Sequence, residues 1–457
     1  MLEEQKNYKD TLLLPKTNFP MRAGLPSREP NWLKHWEKLN IYHRLRTKKD
    51  NRERFVLHDG PPYANGSLHI GHALNKILKD FIVRSQQMLG KDAHYVPGWD
   101  CHGLPIEWKI EEKYRSKGMN KDDVPINELR AECRKFASKW VEIQSNEFRR
   151  LGITGNWENP YLTMDFSSEA TIAEEFMKFA INGSLYQGSK PVMWSPVEKT
   201  ALAEAEVEYE EHVSPTIFVK FPVAAAPDPS LTQNCYAVIW TTTPWTLPGN
   251  RAMAFAENLS YGVYQAGDDK LVLCDSLADQ VMQAAGIETY ARVQDIDPGT
   301  LTCKHPLAEQ GYDFEVPLLA GDFVTDETGT GLVHIAPGHG QDDFELGMKH
   351  GLNVPFTVNE AGVYYDDVPI FAGARVFDDK GKDGSANGAV IGALVEADRL
   401  LAKGKLRHQY PHSWRSKAPL IFRNTPQWFI SMEKTGIRDK ALAAIDDVTW
   451  YPKTGRN

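Results

Sequence analysis

A short apolar run, Phe55-Val56-Leu57-His58, is followed by Gly60-Pro61-Pro62 and then by Ile70, Ala73, Leu74, Ile77, Leu78, Phe81 and Ile82 at steps of three and four. The run suits a buried strand, the prolines impose a turn or an extended path, and the spacing lays one apolar stripe along an amphipathic helix. Ser67 stands where a helix N-cap is expected. This strand–loop–helix junction is the strongest constraint in the chain, because it commits the first part to an α/β unit. His69 and His72 fall off the stripe, on the first helical turn beside the mouth of the loop.

The alternation continues. His94-Tyr95-Val96-Pro97-Gly98-Trp99-Asp100 reads as strand and loop, and a helical pattern runs from Ile126 to Arg150. Strands alternating with helices build parallel sheets, and ligands on such sheets gather beyond the carboxyl ends of the strands. Near residue 190 the text changes to short strand-like runs, at 216–220, 236–240, 270–273 and 331–335, with turn residues between them. After residue 405 it changes again. Three segments are expected: 1–190, an N-terminal segment with an α/β unit; 191–404, a separate β-rich domain with its connections; and 405–457, a third segment of different character.

At 457 residues, 42% of them hydrophobic and 25% charged, the chain has the make-up of a globular protein with more than one core. A net charge of −9 excludes a uniformly basic surface. Nucleic-acid contact is left to local patches, residues 48–54 or the group Lys405, Arg407, His408, His412, Arg415 and Lys417, each of which also reads as a plain solvated face. Five separated cysteines argue against a disulfide framework or a zinc knuckle and for a reducing cytoplasm. The polar start MLEEQKNYKD gives no expectation of a signal peptide, and no apolar window is long enough for a membrane span.

A helix N-terminus carries unpaired N–H groups and partial positive charge, so it holds anions. Two imidazoles there add donors that follow a phosphate as charge develops on it. His-x-x-His alone is more often a surface accident, but here its setting is specific. PPYANGSLHIGH at 61–72 resembles the His-Ile-Gly-His signature of class I aminoacyl-tRNA synthetases, and PGWDCHGLPIE at 97–107 resembles the second loop of their isoleucyl branch.

The resemblance implies an α/β fold: the first half of a split Rossmann-type catalytic domain, interrupted by an inserted β-rich editing domain. It implies ATP as substrate with Mg2+, isoleucine, the acceptor end of tRNA(Ile) and a cytoplasmic monomer. His69 and His72 would stabilise the α-phosphate during adenylate formation, with Pro62, Asn65 and Gly71 also at the ATP and Gly71 leaving room for a purine. Backbone at Gly60 and Pro61 would wall the amino-acid pocket. Asp100 would hold the substrate ammonium.

One missing methylene in an apolar pocket discriminates by only about 1–3 kcal/mol, and isoleucine against valine is the standing example of that limit. A second, hydrolytic site is the remedy. WTTTPWTLPGN at 240–250 and GTGLVHIAPGHGQDDF at 329–344 resemble the two walls of the family's editing domain. The resemblance gives Thr241, Thr242 and Thr243 the positioning of water or ribose, His334 the limit on side-chain size, and Asp343 the free ammonium. No serine or cysteine nucleophile is evident, so attack by a positioned water is favoured.

Two departures from the family stand out. Relatives carry paired zinc-binding cysteines at stretches corresponding to 194–200; this chain has none between Cys133 and Cys235. No zinc is therefore expected, with residues 201–207 packing the connection instead. Ile430-Ser431-Met432-Glu433-Lys434 does not match the family's Lys-Met-Ser-Lys-Ser loop either. The chain is thus expected to be incompetent for activation alone; a stand-alone editing hydrolase and a remnant that only binds nucleotide or tRNA ends are the competing expectations.

Overall fold

The computed structural model describes residues 8–13, 17–47 and 51–457. The chain divides into two compact units, residues up to 178 and residues 179–457. Part of the basic stretch at 48–54 and of the polar start lies outside the described residues.

In the first unit, α1 (Leu25–Lys38) and α2 (Ile41–Arg46) precede β1 (Arg54–Val56), α3 (Ile70–Met88) and β2 (Asp92–His94). β1 and β2 pair in parallel, Arg54 opposite Asp92, so α3 is their crossover. The pattern repeats: β3 (Gly98–Trp99) pairs in parallel with β4 (Tyr161–Leu162) across α4 (Leu104–Arg115) and α5 (Ile126–Arg150). The α/β reading holds, although the strands form two separate parallel pairs. Val83, Tyr95, Trp99, Ile106, Ala137 and Phe148 fill the core between strands and helices. α6 (Phe166–Ile181) runs across the division.

α3 packs the opposite way from its apolar stripe. Ile70, Leu74, Leu78, Phe81 and Ile82 are exposed, whereas Lys76, Asp80 and Val83 are buried. The inner face tolerates charge because each charge is met. Lys76 bonds the Asp59 carboxylate, and Asp80 accepts from Thr154 N at 3.0 Å, Thr154 Oγ1 at 2.9 Å and Arg84 Nε at 2.5 Å. Buried charges persist only when paired and hydrogen-bonded in this way.

The second unit is built from β5 (Leu185–Ser195), β6 (Thr200–Ala201), β7 (Val207–Ala225), β8 (Cys235–Thr241), β9 (Ala252–Phe255), β10 (Tyr261–Ala266) and β11 (Asp269–Cys274). There follow α7 (Ala278–Ala284), β12 (Ala291–Asp295), β13 (Thr302–Lys304), β14 (Glu315–Ala320), β15 (Val333–Ile335), α8 (Gln341–Lys349), α9 (Ala386–Glu396), β16 (Leu400–Ser413), β17 (Ile421–Ile430) and α10 (Ile437–Asp446). Ten strands form one mixed sheet in the order β12-β10-β11-β8-β7-β13-β14-β9-β15, with β16 also on β7. Ile217, Val219, Phe221, Ile239, Leu247, Met253, Val263 and Val272 form its fully buried centre. β7 and β16 make a long antiparallel ribbon, Val207 opposite Ser413, and β17 pairs with β5.

Two tight turns meet in this unit. Ser195 Oγ accepts from Glu198 N at 3.1 Å, and Glu198 Oε1 accepts from Ser413 Oγ at 2.6 Å and Ser416 N at 3.2 Å, with Ser195, Glu198 and Ser413 all buried. Of the stretch 201–207, Leu202 is buried and Ala201 packs against the core, while 203–207 is exposed or half-buried, and the Glu198 carboxylate bonds across to the second turn. On the ribbon Arg407 faces Glu211 at 2.5 Å, and just beyond its end Arg415 faces Glu206 at 3.6 Å and Lys417 faces Glu208, so half of the basic group is paired with glutamates on β7 or immediately before it.

Candidate active sites

α3 starts at the histidines rather than at Ser67, because an imidazole and not a hydroxyl caps it. His69 is the N-cap, with extended backbone; its Nδ1 accepts from Gly71 N at 3.1 Å. His72 Nδ1 accepts from His69 N at 3.3 Å, completing a reciprocal cap, and the rings lie 3.8 Å apart by centroid. With both Nδ1 atoms accepting, each ring carries its proton on Nε2, the nitrogen the cap does not use. Burial, then His69, then Lys76 hold His72 below the ordinary imidazole value of 6.5, against the pull of Glu147. Two neutral N–H donors therefore stand at the positive end of a helix. Gly71 serves the cap directly, since a Cβ there would lie 2.9 Å from His69 Cε1.

Backbone bonds lock the two loops side by side. Asp100 N donates to Pro62 O at 2.9 Å, and Ala64 N donates to Asp100 O at 3.0 Å. The Asp100 carboxylate is half-buried and accepts from His102 N at 3.3 Å. From α5, buried Gln144 donates to Tyr63 O at 3.0 Å and Gly66 O at 2.6 Å while accepting from Trp99 Nε1 at 2.8 Å, and Glu147 accepts from Leu68 N at 2.9 Å. Neither α5 residue was singled out by the sequence, where both read as ordinary helix polar positions. A Cβ at Gly60 would meet nothing within 4 Å, so that backbone is open to a ligand. Pro61 lines a cavity of about 460 Å3 with Val56, Asp59, His94, Gly98 and Thr163. Asn65 is half-buried in the same loop.

In the second unit, Thr241 ends β8, and the threonines run into a 3-10 turn at Pro244–Gly249. Thr243 N donates to Thr241 Oγ1 at 3.1 Å, and Thr246 Oγ1 donates to Thr243 O at 2.9 Å. His334, buried on β15, takes one partner on each nitrogen: Asn250 Nδ2 donates to Nδ1 at 2.8 Å, and Nε2 donates to Thr246 Oγ1 at 2.9 Å. Thr241, Thr243 and His334 thus belong to one hydrogen-bond chain, completed by Thr246 and Asn250. Thr246 and Asn250 both lie within WTTTPWTLPGN, and the three-residue step from Thr243 to Thr246 was the available signal.

Burial pushes His334 down to about 3, which keeps it neutral. Thr242 lines a cleft of about 250 Å3 with Thr241, Trp240, Phe323, Thr328 and Val333. Asp343 sits on the first turn of α8, its Oδ2 accepting from Ala336 N at 2.7 Å. Burial raises that carboxyl to about 7 against the pull of the amide. A cation beside it would draw it into the ionised form. Among the described residues no hydrogen bond joins Asp343 to the threonines, and no group of three or more His, Cys, Asp or Glu is placed to hold a metal ion.

Residues 31–457 match the family of class I tRNA synthetases for isoleucine, leucine, methionine and valine. The isoleucine–tRNA ligase of Bradyrhizobium diazoefficiens is 54% identical over 494 residues, covering 99% of this chain and 49% of the relative. The corresponding ligase of Rhodopseudomonas palustris is 55% identical over 491 residues (99% and 49%), and that of Agrobacterium fabrum 54% over 487 residues (99% and 50%). The chain spans about half the length of the curated relatives it matches.

Proposed function

Because this chain belongs to the class I tRNA synthetases for isoleucine, leucine, methionine and valine, we propose that it supplies the first half of an isoleucine–tRNA ligase. That ligase converts isoleucine and ATP into isoleucyl-adenylate and pyrophosphate, then passes the isoleucyl group to a tRNA(Ile) hydroxyl with release of AMP. The reciprocal histidine cap carries the reading: it presents two neutral Nε2–H donors at the N-terminus of α3 while the loop of Asp100 is bonded alongside. In the reaction, the isoleucine carboxylate attacks the α-phosphorus and pyrophosphate leaves. His69 and His72 donate to the α-phosphate oxygens as charge builds on them. Pro62 and Asn65 border the nucleotide, Asp100 holds the ammonium, and the Gly60–Pro61 backbone limits the side chain. Mg2+ bound together with ATP would offset the charge of its phosphates.

The chain contains no Lys-Met-Ser-Lys-Ser sequence. The histidine pair therefore binds ATP from one side, and this polypeptide alone gives no ATP–pyrophosphate exchange. ATP binding by equilibrium dialysis tests the pair: His69→Asn/His72→Asn lowers affinity tenfold or more, and unchanged affinity sinks the assignment.

A second reading is favoured by the threonine–His334 chain, which is hydrogen-bonded from Thr241 to Asn250. In it the inserted segment, 191–404, hydrolyses valyl-tRNA(Ile). The threonine hydroxyls orient water towards the ester, His334 bounds the side chain, and Asp343 anchors the ammonium. Deacylation of valyl-tRNA(Ile) by this polypeptide measures it directly; no release above the spontaneous rate rejects it.

A further inference from the structure

The inner face of α3 carries a charge cluster that the adenylation reading leaves unused. Lys76 is 4% exposed and lies one helical turn beyond His72. Its Nζ bonds Asp59 Oδ2 and lies 3.3 Å from Tyr95 Oη. Tyr95 Oη itself donates to Asp59 Oδ2 at 2.6 Å, and Lys79 bonds the other carboxylate oxygen. Asp59 immediately precedes Gly60-Pro61. One buried carboxylate therefore ties three things together: the turn after β1, the second turn of α3 and the chain leaving β2.

Burial on this scale is costly unless it does something. Replacing a buried ion pair by apolar residues is often neutral or stabilising, so a pair of this kind is weak evidence for a stability role and better evidence for fixing one arrangement. Here the fixed arrangement includes the site. α3 has its apolar stripe turned outward, so its seating on the first unit depends on this inner face. Movement of Lys76 would move His72 with it. The ammonium is also a charge facing His72, together with His69 on the same helix and Glu147 on α5.

We propose that Lys76, acting through Asp59, is a positioning residue for the histidine pair, setting the Nε2–H donors of α3 at a fixed place relative to the Gly60–Pro61 backbone. This rests on the reading of His69 and His72 as phosphate donors. A secondary consequence is electrostatic: the lysine, with burial and His69, opposes protonation of the His72 ring.

The test uses the full chain and two measurements, ATP affinity by calorimetry and the titration midpoint of the His72 ring by NMR. Lys76→Met lowers ATP affinity about tenfold and raises the His72 midpoint, and Lys76→Arg restores both at least in part. If Lys76→Met does not fold, Asp59→Asn/Lys76→Met removes both charges together and gives the same loss of ATP affinity. A folded variant with unchanged ATP affinity overturns the proposal, whatever the His72 midpoint does. His69→Asn/His72→Asn separates it from its premise. If that variant loses affinity and Lys76→Met does not, Lys76 is rejected and the phosphate reading stands. If that variant keeps full affinity, the phosphate reading is rejected and Lys76 as positioner falls with it.

Discussion

His69 and His72 meet at an exposed helix start, where each ring is held through one nitrogen by a backbone N–H. His334 is 7% exposed and has a side-chain partner on both nitrogens. The first arrangement leaves a donor on each ring for a ligand; the second spends both nitrogens on structure and offers its bulk. An imidazole presented outward suits charge that appears during a reaction. One locked inward suits the shape of a wall.

The comparison breaks most readily through stability. His334→Ala strands Asn250 and Thr246 inside the sheet and removes a buried ring, costing about 2–4 kcal/mol in denaturant unfolding of the second unit. His69→Ala removes a cap and costs about 1 kcal/mol. Equal losses would erase the distinction. Next in size is Asp343→Ala, which on the proposed hydrolytic reading removes the contact to the aminoacyl ammonium and is expected to slow valyl-tRNA(Ile) deacylation about 10- to 100-fold. Unchanged hydrolysis would remove Asp343 from the site.

Acid titration sharpens the contrast further. Burial depresses His334 and His305 to about 3 and His339 to about 4, all below their ordinary 6.5. The unfolded chain then binds more protons, so the stability these rings contribute is complete above pH 6.5 and is lost as pH falls towards 3. Asp343 runs the other way: raised from 3.8 to about 7, it stays protonated in the fold, and its contribution declines as pH rises between those values. Unfolding followed from pH 8 to pH 4 shows the second unit weakening on acidification; a flat profile contradicts the buried neutral rings. The smallest stability effect is Gly71→Ala. Its gain of about 0.8–1 kcal/mol in helix propensity offsets the loss of the cap, leaving net stability nearly unchanged while ATP affinity drops.

How much the sequence disclosed varies with the reach of the interactions. The strand–loop–helix junction and α5 from Ile126 to Arg150 were legible because periodicity is local. The orientation of α3 was not, because the partners that admit Lys76 and Asp80 to the interior are Asp59, before the helix, and Thr154, far beyond it. The cap was misassigned to Ser67 because hydroxyls are the usual caps and an imidazole doing the same work leaves no mark in spacing. The chain from Thr243 to His334 needed β15 laid antiparallel to β9 before Thr246 and Asn250 acquired meaning.

The outward stripe of α3 has a colloidal consequence. Ile70, Leu74, Leu78, Phe81 and Ile82 present aliphatic and aromatic surface to water along several turns, the profile of an interfacial helix rather than of a solvent-facing one. In solution this polypeptide is expected to behave as a weak amphiphile. It enhances the fluorescence of an environment-sensitive naphthalene dye while still folded, self-associates as concentration rises, and loses both properties when Leu74 and Phe81 are exchanged for glutamine.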